Sequence, residues 1–251
     1  MSVRQRRTHQ RVPHHDHRSR SFRYACHIPH AVCQRRVHGQ NDQSLRRQGA
    51  TREHVRGRAG VRPPCAVQGG LEWDFEALNR RPVEAEYEAL VREYLQDVTA
   101  AKSEHKGWKL PETTLSLPWI TRLFPEAYYI YLVRDPRDSI LGGHTTDDLT
   151  KFGVQYPETE DTLKRRAISW KYQYDLVAAT AKPRHWMTLR FEDFVLHQER
   201  ELERLEAFLG FPLGRIIVRP DAVGRWQRTE ERVPDFDFLH AALQESGYDE
   251  G

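Results

Sequence analysis

The chain has 251 residues and a formal net charge of +3, a length that allows one or two globular domains. No stretch reaches the roughly 18 consecutive apolar residues that a membrane-spanning helix needs, and the first residues contain no apolar segment of the secretory type. These features exclude an integral membrane protein from the expected classes and make the cytoplasm the expected location.

Charge is distributed unevenly along the chain. Residues 1–70 contain 15 Arg, no Lys and 3 acidic residues, whereas the remaining residues contain 24 basic and 33 acidic ones. Apolar residues in the first segment are sparse and aperiodic, so the segment cannot bury enough surface to offset the entropy lost on ordering. We therefore predict a disordered Arg/His-rich segment over 1–70 and a folded domain over 71–251.

Four interpretations of residues 1–70 stay open. The segment could be a plain disordered extension, the product of a wrong reading frame or start site, a basic arm that binds nucleic acid, or a metal site. Few aromatic residues are present for base stacking, so nucleic acid is not a favoured partner. The candidate metal ligands are His14, His15 and His17, or Cys26, His27, His30 and Cys33. Neither spacing matches a strong zinc pattern, and no metal is predicted.

The remaining chain is well patterned. In chain order, apolar spacing and breaker residues predict a helix over 83–103, a short strand or turn over 108–111, a helix over 112–124, a strand over 128–133, a helix from Pro136, a polar loop over 144–160, a helix over 162–179, a strand over 186–191, a helix over 199–209 and a short helix over 237–246. Strands that alternate with helices predict an α/β domain with a parallel sheet flanked by helices.

The stretch 128–138 carries the clearest chemical signal. Its apolar run ends in Arg134 and turns through Asp135 and Pro136 into the next helix. An arginine at the carboxyl end of a buried strand, beside a helix start, suits the binding of a phosphate group. The alternative is an ion pair between Arg134 and Asp138 that caps the helix.

Four blocks together resemble the sulfotransferase family. They are Trp108-Lys109-Leu110-Pro111, the run LFPEAYYIYLVRDPRD over 123–138, Leu189-Arg190-Phe191-Glu192-Asp193-Phe194, and Gly224-Arg225-Trp226 with Gly247-Tyr248 after it. The resemblance covers about residues 100–250. It implies the P-loop-type sulfotransferase fold and transfer of a sulfuryl group from 3′-phosphoadenosine 5′-phosphosulfate (PAPS) to a hydroxyl or amine of a small-molecule or glycan acceptor, without a metal.

The resemblance also implies roles for individual residues. Arg134 is similar to the family's arginine that binds the 3′-phosphate, with Gly224 and Arg225 in the loop that closes over that phosphate. Lys109 is similar to the lysine that faces the sulfuryl group; otherwise it is an exposed lysine before a turn. Phe191 matches an aromatic position near the nucleotide.

The chain departs from the family pattern at three places. Gly142 stands where the family has a serine, and Ser139 is the nearby hydroxyl that could replace it. Pro111 stands where many members have a histidine base, which leaves His144 and Glu112 as candidates.

The third departure lies upstream. No Pro-x-Ser-Gly-Thr-Thr loop for the phosphosulfate group occurs in residues 1–107, and the nearest string, over 49–52, matches poorly. The fold is therefore expected to be incomplete. A catalytically inactive remnant that binds PAPS weakly stays open beside the active enzyme.

Overall fold

The computed structural model describes residues 67–249. The candidate metal ligands in the first segment, the basic arm and the search for a phosphosulfate loop before residue 67 lie outside the described residues. No described helix is both long and apolar enough to cross a membrane. The cytoplasmic location stays a prediction.

The described residues form four strands and nine α-helices. The strands are β1 (Val67–Gly69), β2 (Glu72–Trp73), β3 (Tyr129–Val133) and β4 (Trp186–Arg190); the helices are α1 (Phe75–Arg80), α2 (Ala85–Tyr94), α3 (Gln96–Ala100), α4 (Leu117–Leu123), α5 (Pro136–Ile140), α6 (Thr162–Ala179), α7 (Phe191–Leu196), α8 (Gln198–Leu209) and α9 (His240–Glu245). Short 3₁₀ segments lie at Pro111–Ser116, Leu149–Phe152, Pro220–Ala222, Arg225–Gln227 and Asp237–Leu239.

The centre of the fold is the parallel pair β3–β4. Tyr129 lies opposite Trp186, and the pairing runs without a shift to Val133 opposite Arg190. Both strands therefore end at the same level, so the residues that follow them meet at one edge of the sheet. This arrangement confirms the predicted α/β class with a parallel sheet flanked by helices.

Helix α6 is the longest helix of the described part, and its bounds agree with the predicted ones. Its start is fixed by Asp161, whose carboxylate accepts hydrogen bonds from the backbone N–H groups of Leu163 and Lys164 at 2.8 and 3.1 Å. Such a cap satisfies donors that have no partner inside the helix. The apolar face of α6 then packs into the core through Ile168 and Leu176, which are 1% and 0% exposed.

The predicted helix over 83–103 is divided into two. Helix α2 ends at Tyr94 and α3 begins at Gln96, because Leu95 leaves the helical conformation with φ −90° and ψ 3°. Leu95 is 1% exposed and packs with Trp119 of α4. Burial of this side chain explains why the apolar spacing continues across a break in the backbone.

Two further segments differ from the sequence prediction. The predicted helix over 112–124 begins as the 3₁₀ segment Pro111–Ser116 and becomes α-helical only at Leu117. The antiparallel hairpin β1–β2 was not predicted, because its strands are only three and two residues long. Strands this short carry no measurable alternation of polar and apolar residues.

Candidate functional site

Arg134 follows directly on β3 and is held from two sides. Its Nη2 donates hydrogen bonds to Asp138 Oδ2 at 3.3 Å and to the carbonyl oxygen of Ala222 at 2.5 Å. The guanidinium carbon lies 4.5 Å from the ring centroid of Phe191, the residue that follows β4. A cation above an aromatic ring is attracted by the negative face of that ring. Arg134 thus has one fixed position at the carboxyl ends of both strands.

Asp138 is the centre of this arrangement. Its side chain is fully buried, and besides Arg134 it accepts hydrogen bonds from two backbone N–H groups. Oδ2 bonds to Gly224 N and Oδ1 to Trp226 N, each at 2.9 Å. Three donors offset the cost of burying a charged carboxylate. The ion pair that the sequence left as an alternative is therefore present, and it anchors a loop 86 residues further along the chain.

The loop around Gly224 adds a second arginine. Gly224 has φ +64°, a conformation that a residue with a Cβ rarely adopts. The turn directs Arg225 back towards α5, where its Nη2 donates to the carbonyl oxygen of Asp138 at 3.1 Å. We call Arg134, Asp138, Gly224, Arg225 and Trp226 the Asp138 network.

Gly142 lies beside Arg225. A Cβ at this position would be 3.9 Å from Arg225 Nη2 and 3.7 Å from the carbonyl oxygen of Ser139. Both distances are ordinary van der Waals contacts. A small side chain therefore fits where the family pattern has serine.

Residues at the start of α5 already form hydrogen bonds within the protein. Asp135 accepts a hydrogen bond from the backbone N–H of Arg137 at 2.8 Å, and its own N–H donates to Glu192 Oε1 at 3.1 Å. The Ser139 hydroxyl donates to the carbonyl oxygen of Asp135 at 3.0 Å. The backbone N–H groups of Asp135 and Arg137 therefore already have acceptors, and the hydroxyl proton of Ser139 is used inside the helix.

Glu192 connects the two strand ends to the C-terminal residues. While its Oε1 accepts from Asp135, its Oε2 accepts a hydrogen bond from the Tyr248 hydroxyl at 2.5 Å. Tyr248 is 4% exposed. Burial, followed by this hydrogen bond to Glu192, raises the pKa of the Tyr248 hydroxyl, so it stays a donor.

Two arginines hold the backbone on either side of Tyr248. Arg137 donates to the carbonyl oxygen of Tyr248 at 2.7 Å, and Arg190 donates to that of Gly247 at 3.1 Å. Arg190 also lies over the Tyr248 ring, 4.3 Å from its centroid. We call Gly247 and Tyr248 the C-terminal clasp, because they bind the ends of β3 and β4 at once.

Lys109 lies in a different setting. The segment between α3 and Pro111 contains no regular structure, and the Lys109 side chain is exposed. Its neighbours are held by packing: Trp108 contacts Phe124 edge-on at 5.4 Å between ring centroids. The next residue, Leu110, has an extended backbone with φ −134° and ψ 120°. The short strand or turn predicted over 108–111 is not formed: residues 108–110 are irregular, and Pro111 begins a 3₁₀ segment.

The loop after α5 contains His144 and Asp147, which are bonded to each other and, through Asp147, to α6. The charge of Lys109 lowers the pKa of His144, although the largest contribution to that lowering is burial. Asp147 accepts the backbone N–H of His144 at 2.7 Å and pairs with Arg166 of α6 at 3.2 Å. Asp147 thus joins the loop after α5 to helix α6.

The structure brings five of the six predicted site residues together. Four of them, Arg134, Phe191, Gly224 and Arg225, lie around Asp138; Ser139 is adjacent with its proton engaged. The sixth, Lys109, is not among the described residues that contact Asp138 or Arg134.

Sequence reasoning gave too little weight to three residues that build this site. Asp138 was considered only as an ion-pair partner of Arg134, and Glu192 and Tyr248 only as parts of motifs. The second aspartate of Arg134-Asp135-Pro136-Arg137-Asp138 was the available signal for the network. For Glu192 and Tyr248 the signal was a polar residue within a block that resembles the family. Among residues 67–249 no group of three or more metal-binding side chains occurs.

Comparison with known proteins identifies the family of the chain. Residues 8–215 match the model of the sulfotransferase family. No curated protein and no solved structure matches the chain. Because the match covers most of the sequence, the chain belongs to the sulfotransferase family. The matched range ends before the Gly224 loop and the C-terminal clasp.

Proposed function

We propose that the chain transfers a sulfuryl group from PAPS to a hydroxyl or amine of a small-molecule or glycan acceptor. The observation that carries the proposal is Arg134, held at the carboxyl ends of β3 and β4 by Asp138, the Ala222 carbonyl and the ring of Phe191. In open α/β sheets ligands bind outside the carboxyl ends of the strands. A fixed guanidinium there is suited to a phosphate.

The Asp138 network fits the 3′-phosphate of such a nucleotide. Within the described part of the chain both hydrogen bonds of Arg134 leave from Nη2, and its buried Nε has no partner. Arg225 is exposed, and its Nη2 donates a hydrogen bond to the backbone carbonyl oxygen of Asp138. The Asp138 network contains two arginines and one carboxylate, so the charges of its side chains sum to +1 and can attract an anion.

Lys109 would act at the other end of the nucleotide. Bound PAPS supplies the sulfuryl group, and 3′-phosphoadenosine 5′-phosphate (PAP) is the leaving group. An exposed ammonium group can stabilise negative charge as it develops on the bridging oxygen. Acceptor choice is expected to lie in the loop over 144–160, because loops carry specificity on a constant scaffold.

Calorimetry of the full chain with PAP tests the proposal. We expect micromolar binding, weakened about tenfold by Arg134→Lys, which keeps the charge but loses the planar fork, and about 100-fold by Arg134→Ala. Arg92→Ala is the matched control, since Arg92 is an exposed arginine of α2 that pairs with Glu88. Wild-type protein that does not bind PAP would overturn the proposal and favour the inactive remnant.

A transfer assay with radiolabelled PAPS and a panel of phenols, sugars and amines tests the chemistry. Lys109→Met is expected to lower transfer about 100-fold while PAP binding stays within about twofold. This division separates a residue that acts on the sulfuryl group from one that binds the 3′-phosphate. Binding of PAP without transfer to any acceptor would also favour the inactive remnant.

A further inference from the structure

His144 lies in the loop after α5, with one ring nitrogen directed into the protein. Nδ1 is 2.7 Å from Thr146 Oγ1 and 3.4 Å from the backbone nitrogen of Thr146. Thr146 is 1% exposed. The proton positions in this contact decide which nitrogen of the neutral ring carries its hydrogen.

Gln173 of α6 supports the position of Thr146. Its side-chain nitrogen lies 3.2 Å from the carbonyl oxygen of Ser169, which can only accept, so this atom is a donor. Its two hydrogens are shared among that oxygen, the Ser169 hydroxyl oxygen at 3.1 Å and Thr146 Oγ1 at 3.1 Å. The Ser169 hydroxyl donates to the carbonyl oxygen of Thr146 at 2.7 Å and so does not compete for its hydroxyl proton.

The backbone N–H of Thr146 donates to Nδ1 of His144 at 3.4 Å, so Nδ1 presents its lone pair. The Thr146 hydroxyl, 2.7 Å from the same nitrogen, then acts as a second donor to it. Neutral His144 then carries its hydrogen on Nε2. Protonation of Nδ1 would oppose three N–H or O–H groups at one point, a cost that favours the neutral ring.

The surrounding groups are consistent with a neutral ring. Burial lowers the pKa of His144 and is the largest cause; Asp147 and Glu112 raise the pKa, and Lys109 lowers it. Arg166 forms an ion pair with Asp147, so the carboxylate that raises the pKa of His144 is shared with another cation. Because the neutral ring has a hydrogen on Nε2, that nitrogen has no lone pair with which to accept a proton.

We infer that His144 acts as a hydrogen-bond donor to the sulfuryl group through Nε2–H, and that it is not the general base. The inference rests on the proposed function. In the transfer, the acceptor oxygen or nitrogen bonds to sulfur while the bond from sulfur to the 5′-phosphate oxygen breaks. The electron pair leaves with PAP, and the acceptor's proton passes to water or a base other than His144. Nε2–H and Lys109 share the charge on the sulfuryl and bridging oxygens.

Nitrogen-15 NMR of the full chain tests the tautomer without any ligand. The His144 signals, assigned by their loss in His144→Gln, should show the hydrogen on Nε2 at neutral pH. Thr146→Val removes the hydroxyl donor and should raise the measured pKa of His144 by about half a unit or more. Thr145→Val is the matched control, because Thr145 is an exposed neighbour. A hydrogen on Nδ1 would overturn this inference and leave the proposed function intact.

Transfer kinetics test the role of the nitrogen. Glutamine provides an N–H donor but no basic nitrogen, so His144→Gln should lose less than about tenfold in kcat/KM and keep the acid limb of the pH profile. His144→Ala should lose about 100-fold. Equal losses in both variants, or disappearance of the acid limb in His144→Gln, would identify a base and overturn the inference. If the wild type does not bind PAP, the proposed function and the donor role of His144 are both overturned. The assignment of the hydrogen to Nε2 is not affected by that result.

Discussion

The two ends of the candidate site are built in different ways. The end around Arg134 is cross-linked by charge-assisted hydrogen bonds from α5, α7, the Gly224 loop and the C-terminal clasp. The end around Lys109 has no regular structure and is placed by the packing of Trp108 beside an exposed side chain. The first end is held by many hydrogen bonds, whereas the second is held by packing and exposes its lysine to solvent.

This difference suits a division of work between the two ends. A phosphate has the same shape in every catalytic cycle, and a rigid set of donors binds it with little loss of side-chain entropy. An acceptor must enter and leave, which requires an open surface. The residues that matter for stability should therefore lie at the Arg134 end, and those that matter only for transfer at the Lys109 end.

The largest expected effect is the loss of Asp138. Asp138→Ala removes the carboxylate of the Asp138 network, which leaves two backbone N–H groups without their acceptor and Arg134 with the Ala222 carbonyl alone as its acceptor among the described residues. We expect the free energy of unfolding to fall by about 3 kcal/mol, measured by urea denaturation. Asp138→Asn keeps the size and part of the hydrogen bonding, so its effect should be smaller.

Two control variants test whether the effect belongs to this end of the site. Asp235→Ala removes an exposed carboxylate and should leave the urea midpoint near that of the wild type. Lys109→Met should change the free energy of unfolding by less than about 0.5 kcal/mol, as expected for a surface side chain. A loss as large as that of Asp138→Ala in either control would contradict the contrast between the two ends.

A smaller effect is expected from the C-terminal clasp. Tyr248→Phe keeps the ring under Arg190 and removes only the hydroxyl that donates to Glu192. A hydrogen bond to a charged group contributes about 1.5 kcal/mol, so the free energy of unfolding should fall by about that amount. The measurement is urea denaturation. Tyr128→Phe serves as the matched control, since Tyr128 is 50% exposed. If both variants change the free energy of unfolding equally, the hydrogen bond from Tyr248 to Glu192 does not contribute to stability.

The smallest expected effect is a gain in the affinity for PAP. Gly142→Ser places a hydroxyl beside Arg225 without a clash, because a Cβ there meets no atom closer than 3.7 Å. One added hydrogen bond should tighten PAP binding about fivefold in calorimetry. Gly142→Ala supplies the Cβ without the hydroxyl. If both variants bind PAP equally, the hydroxyl does not reach the phosphate.

Much of the fold followed from the sequence because its signals are local. Helix α6 has a capping aspartate and sustained apolar spacing, and its predicted bounds were confirmed. Strands β3 and β4 are apolar runs bounded by breakers, and both were found. The break at Leu95 could not be foreseen, since apolar spacing continues through it and only tertiary burial shows its cause.

The residues of the candidate site also differ in how well the sequence alone could identify them. Arg134 was found because its position at a strand end is visible in eleven consecutive residues. Its partners were harder to identify, since Gly224 bonds to a carboxylate 86 residues away and Tyr248 to one 56 residues away. Pairings over such distances depend on the path of the whole chain, which no local pattern records.

The C-terminal clasp also has a consequence for how the protein is made. Arg137, Arg190 and Glu192 emerge from the ribosome well before Gly247 and Tyr248, yet each bonds to one of those two residues. The strand ends that hold Arg134 therefore remain without these bonds until Gly247 and Tyr248 have been synthesised. Contacts between residues so far apart in sequence also form slowly. A polypeptide truncated before Gly247 would keep the residues of the sheet and both arginines but would lack the bonds that join the strand ends.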